Sequence, residues 1–144
     1  MSQYYQVGEQ VLWNPSNGVS ALFLRSADAL APETGLPTGL GPMENDECRI
    51  DLEVFTAFVS ALVERYERTN HPILHALMEG FIATALVLVQ RGGAEPHRSE
   101  RDGWRDVQVS GLAAGLPEGS AGRWAELTAR HARAMPHRPT RTCS

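Results

Sequence analysis

The 144-residue chain contains no lysine: all 13 of its basic residues are arginine, set against 17 acids for a formal net charge of −4. These arginines are scattered among the acids. A phosphate backbone is held by clustered cations, so nucleic acid is not an expected partner. Cysteine is almost as scarce. Cys48 and Cys143 stand far apart, the second in a polar C-terminal stretch, and the expectation is a reducing compartment without a disulfide. The densest apolar run, Phe81 to Val89, falls far short of the ~20 residues of a membrane helix. The opening residues Met1 to Gly8 hold no basic residue and no apolar core, so they do not read as a signal peptide. Together these absences predict a cytoplasmic protein with no membrane contact. The chain also lacks a Walker loop, a G-x-G-x-x-G turn and a G-x-S-x-G elbow, so it carries no signature of nucleotide use or of serine hydrolysis.

What is present suits one packed domain. The length fits a single core, and a hydrophobic content of 42% argues against a disordered chain. Tyr5, Val7, Val11 and Trp13 suggest a short strand or hairpin arm interrupted by Gly8, and Asn14 to Gly18 reads as a turn. A first helix is expected over about Val19 to Ala31, with Val19, Leu22, Phe23 and Leu30 at helical spacing and Pro32 as its stop. The Pro/Gly-rich stretch from Pro32 to Asp46 reads as a long loop. Asp51 is the N-cap of a second helix, with Ile50 and Phe55 at staple spacing and Leu52, Phe55, Val59, Leu62 and Tyr66 along its inner face.

A third helix, Asn70 to Arg91, should end at Gly92-Gly93. Ile73, Leu74, Leu77, Met78, Phe81, Ala85 and Leu88 fall on one broad face, and Ala76, Gly80, Ala83 and Val87 form a small-residue stripe roughly opposite. A helix apolar on both sides is a buried one, which makes this the centre of the fold. A last amphipathic helix is expected over about 123–135, with Trp124, Leu127, His131 and Met135 on one side. The fold class predicted is therefore mainly α, a compact bundle of about four helices with at most a minor N-terminal β element. Its core covers about 4–93 plus the C-terminal helix; 94–122 reads as irregular and 136–144 as a disordered tail.

Few residues point to chemistry. His71, His75 and Glu79, spaced i, i+4, i+8, place three potential zinc ligands along one edge of the central helix. The competing reading is structural: His71 caps the helix start, and Glu79 pairs with Arg25, Arg49 or Arg65, as a half-buried carboxylate needs. Glu44, Asp46, Glu47, Asp51 and Glu53 gather near a helix start, where the macrodipole alone justifies acids; the alternative is a partner-binding patch. Trp13 reads as a core aromatic. Cys48 follows acids, which raise a thiol pKa and argue against a nucleophile.

The segments Val7-Gly8 through Leu12-Trp13-Asn14-Pro15-Ser16, Asp46-Glu47-Cys48 with Ile50-Asp51, and Glu79-Gly80-Phe81-Ile82-Ala83-Thr84 resemble an actinobacterial family known as domain of unknown function 6086. The resemblance spans roughly the first 93 residues. It implies a bacterial protein and transfers no catalytic residue.

Two functional classes follow. The favoured one is a non-catalytic interaction protein (accessory, regulatory or immunity-type) acting on another protein or on itself, with an exposed apolar or acidic patch and no deep polar pocket. A homodimer is motivated by the stripe Ala76, Gly80 and Ala83, unless a helix of the same chain covers it. The other class is a metal-binding protein or metal-dependent enzyme using His71, His75 and Glu79. Outside both, a ligand-binding role would show a cavity of a few hundred Å3 lined by the central helix.

Overall fold

The computed structural model describes residues 2–94 and 120–136. Among the described residues four helices accompany a four-stranded mixed sheet, so the fold is α/β and the expectation of a mainly α bundle is corrected. The strands are β1 (Tyr4–Val7), β2 (Gln10–Trp13), β3 (Leu40–Glu44) and β4 (Glu47–Ile50). The helices are α1 (Asn17–Thr34), α2 (Leu52–Glu67), α3 (Pro72–Arg91) and α4 (Ser120–Ala134). The predicted irregular stretch and disordered tail lie mostly outside the described residues, but residues 120–122 are already helical.

Two hairpins build the sheet. Gly8 turns the first with φ of 59°, the left-handed geometry a two-residue hairpin loop demands at its first position. Asn45 and Asp46 turn the second with φ of 54° and 63°, the paired positive angles of a type I′ loop. The inner strands β1 and β4 then pair in parallel, Tyr5 opposite Cys48, giving the order β2-β1-β4-β3. The second hairpin occupies what reads in sequence as loop. Its strands are only four or five residues long, β3 contains Gly41 and Pro42, and its partner β1 is some forty positions away. No local periodicity can announce such a pairing.

Helix ends follow backbone bookkeeping. Ser16 and Asp51 cap α1 and α2 by accepting from Val19 and Val54 amides. Pro32 does not stop α1: it sits exposed in the last turn, costs one backbone hydrogen bond, and the helix ends at Gly35 in left-handed geometry.

The core is continuous. Phe23 of α1 packs at 5.5 Å on Tyr5, 5.2 Å on Trp13 and 4.9 Å on Phe81 of α3, joining sheet, α1 and α3 through one ring. The Tyr5 hydroxyl pairs with Ser20 Oγ at 2.8 Å, and burial drives its pKa up. Helix α3 is buried from Phe81 to Val89 except at Thr84, which is half-exposed, so its C-terminal half is central to the fold. Its N-terminal half is not: Ile73 and Leu77, expected on the inner face, are 59% and 72% exposed. By length and composition α3 could cross a membrane, although the Phe81–Val89 run alone is too short; half of the qualifying window is buried against the rest of the fold.

Gly39 is the tightest point between the second hairpin and α2. Its φ is +83°, and an added Cβ would lie 2.5 Å from the Phe55 amide nitrogen and 2.9 Å from Phe55 Cα. Backbone atoms cannot step aside as a side chain can. Gly39→Ala should therefore destabilise the fold by more than about 2 kcal/mol, read as a lower urea midpoint at unchanged m-value.

Candidate functional site

The helical triad is best followed from its ends. His71 is the N-cap of α3: its Nδ1 accepts from the amides of Ile73 (3.2 Å) and Leu74 (3.4 Å). His75 lies one turn on, and its Nε2 donates to the carbonyls of Thr69 (2.7 Å) and Tyr66 (3.1 Å), beyond and at the end of α2. Its ring stacks on Tyr66 at 3.9 Å. Glu79 turns toward α4, accepting from the Tyr66 hydroxyl at 2.8 Å and pairing with Arg123. The carboxylate partner is thus Arg123 rather than Arg25, Arg49 or Arg65; Arg65 pairs with Glu33 at 3.1 Å. Each of the three side chains has its own partner, and among the described residues no three His, Cys, Asp or Glu side chains gather around one point.

Trp124 extends this cluster. It is buried against Tyr66 at 4.9 Å and its indole N–H donates to Glu67 at 3.3 Å. The network clamps the start of α4 to α2 and α3. Arg91 clamps the other end, donating to the carbonyls of Leu12 (2.9 Å) and Ala132 (3.1 Å). The acids of the second hairpin stay apart from it. Glu44 and Glu47 flank its turn, Asp46 lies in the turn and accepts the Tyr4 amide through its carbonyl, Asp51 caps α2, and Glu53 sits in that helix's first turn.

An apolar recess lies elsewhere, between α1 and α3. Its volume is about 330 Å3. Trp13, Phe23 and Phe81 form the floor; Val19, Leu22 and Ser26 line the α1 side, Leu77, Gly80 and Thr84 the α3 side, and Ala134 with Met135 close one end. Among the described residues the lining contains no charged side chain, thiol or imidazole. Its described side chains carry two hydroxyls, on Ser26 and Thr84, and the Trp13 indole N–H; the Thr84 hydroxyl donates to the Gly80 carbonyl. Chemically the groove can bury apolar surface.

The small-residue stripe meets this groove. Ala83 is fully buried, whereas Ala76 and Gly80 remain exposed, and a Cβ on Gly80 would meet nothing within 4 Å. Sequence spacing puts Val19, Leu22, Ile73 and Leu77 among core-facing positions; the exposed Gly80 one turn from Ala76 and Leu77 marks a half of the helix that no other described element covers.

A family model matches residues 1–137. The chain belongs to DUF6086, a family of unknown function. The match continues past the 93 residues that carry the quoted motifs and takes in α4. No curated protein and no solved structure matches. For a DUF6086 chain the groove is thus assembled wholly from residues inside the family's matched span.

Two predictions follow from the polar groups of this DUF6086 protein. His75→Ala removes the donor serving two carbonyls and the ring under Tyr66, and should lower stability by about 1–2 kcal/mol in urea titrations. Alkaline pH should also destabilise. Burial pushes the Cys48 thiol up to about 11 from 9.0, and burial with the Glu79 hydrogen bond pushes the Tyr66 phenol up to about 12 from 10.0. The folded state holds these protons where the unfolded chain has released them. Stability is therefore full below about pH 9 and falls as pH rises toward 12. Urea midpoints measured from pH 8 to 11 should decline, and Cys48→Ala should remove the earliest part of the decline.

Proposed function

We propose that this protein is a non-catalytic interaction module that receives an apolar helix of a partner protein in the groove between α1 and α3. One observation carries the reading: of five exposed large hydrophobic side chains among the described residues, Val19, Leu22, Ile73 and Leu77 stand on these two helices. Exposed apolar surface is normally dispersed, and its concentration along a groove is the pattern of a binding face. Two facing helices with a floor of aromatic rings suit the helix-in-groove mode, where a partner offers side chains at i, i+3, i+4 and i+7. Covering Leu22, 64% exposed, and Leu77, 72% exposed, would contribute about 1–2 kcal/mol each.

A second reading shares the groove. Its volume lies in the range of small-ligand sites, and the central helix lines it. Against this stands its open rim: Leu22 and Leu77 point largely into solvent, and a small apolar ligand would leave them there. A helix covers them.

Gly80→Leu separates function from folding. The position is helical and open, so leucine should hold or raise stability by up to about 1 kcal/mol while filling the groove. With a photoreactive residue at Leu22 or Leu77, and at Glu53 as control, a partner polypeptide should crosslink in the native host from the groove positions alone, and Gly80→Leu should abolish the adduct. Equal labelling from Glu53 would overturn the reading; an adduct of small-molecule mass would replace the helix with a ligand.

A further inference from the structure

The groove is uncharged inside, but its rim is not. Arg25 follows Leu22 by three positions on α1, and Arg130 precedes Ala134 by four on α4, so each is an exposed side chain within one helical turn of a residue that lines the groove. Arg133, next to Ala134, is exposed at the same end. Among the described residues Arg25 and Arg133 form no salt bridge, and Arg130 meets Glu126 only at 3.9 Å with both side chains largely in solvent. Nearby acids are otherwise committed: Glu79 to Tyr66 and Arg123, Glu33 to Arg65, while Asp28 faces a recess on the β3 side. Among the described residues, an acidic chain thus sets arginines beside its apolar groove on the α1 and α4 sides.

Resting on the groove reading above, we infer that the partner helix is acidic along its flanks: a leucine-type ridge seated over Phe23 and Phe81, with Asp or Glu on either side facing Arg25, Arg130 and Arg133. Arginine suits this role because its forked donors match a carboxylate and its charge does not titrate. Complementary rims raise association rate and select partners more than they add affinity. The same charges oppose a second copy as occupant, since two such rims would bring arginines against arginines.

The test uses the full-length protein and three synthetic helices with one leucine ridge and flanks of Glu, Gln or Lys. Binding is followed by calorimetry and located by amide NMR shifts at Val19, Leu22, Leu77 and Gly80. The Glu helix should bind roughly three- to tenfold tighter than the Gln helix at low salt, and the Lys helix more weakly than either. The difference should collapse near 0.5 M salt, where screening is strong. In the triple variant Arg25→Glu, Arg130→Glu, Arg133→Glu the order should reverse. Equal affinity for all three helices at the groove would refute the acidic partner and leave the groove reading standing. No binding, or shifts confined to another face, would refute both. A concentration-dependent dimer in sedimentation that Leu22→Glu abolishes would give the groove to a second copy and overturn the proposal.

Discussion

The structure hangs on the stack of Phe23 against Phe81. Phe23 also edges Tyr5 and Trp13, while Phe81 edges Phe58 of α2 at 6.3 Å, so five rings run from the sheet through α1 and α3 to α2. Aromatic pairs contribute beyond their buried area and fix relative orientation, which a mixture of aliphatic side chains does less well. This contact holds α1 to the middle of α3, and the groove is what remains above it. Near Gly80 no side chain of the described residues fills the space, and Leu22 and Leu77 rise on either side without a third described element across them. Floor and opening are products of one packing arrangement.

How much of this was legible depended on whether the deciding contact is local. Helix α2 was readable because its cap, staple spacing and inner face all lie within sixteen positions; Asp51 caps it as expected and Phe55, Val59, Leu62 and Tyr66 are buried. Helix α3 was readable in extent and in its central position, since apolar residues on every side of the segment leave few other arrangements. The sheet was largely hidden. A strand of four residues such as Glu47–Ile50 has room for only two inward side chains, and what stabilises it is Tyr5 beside Cys48, a contact across forty-three positions. The loop inferred over 32–46 fails for the same reason: Pro42 argues against a central strand, but β3 lies at the sheet edge, where a missing N–H is tolerated.

The histidine triad shows the converse case, where a correct spacing has an ordinary cause. A helix leaves its first amides and last carbonyls without partners, and the junction between α2 and α3 brings a C-terminus and an N-terminus together within a few residues. His71 serves the amides and His75 serves the carbonyls, each with one ring nitrogen. Ligand-like spacing on one helix edge is therefore also what a tight helix–helix corner selects. Glu79, a further turn along, is drawn to Tyr66 and Arg123 because α4 starts there.

The groove was illegible for a different reason. Its walls come from the first quarter of the chain, the central helix and the last turn of α4, and α4 is held there by Trp124 and Arg123 near its start, by Leu127 and Ala132 packed on the core, and by Arg91 near its end. The Asn14 amide then bonds the Pro136 carbonyl at 2.9 Å, tying the chain beyond Met135 to the segment that leads into α1. Charge is segregated by the same folding step. A net −4 averages over the whole chain, whereas α1 and the end of α4 carry exposed arginines within a helical turn of one apolar recess. Net charge bounds the field at a distance; which partner a surface accepts is decided by the few groups that tertiary structure places on its rim.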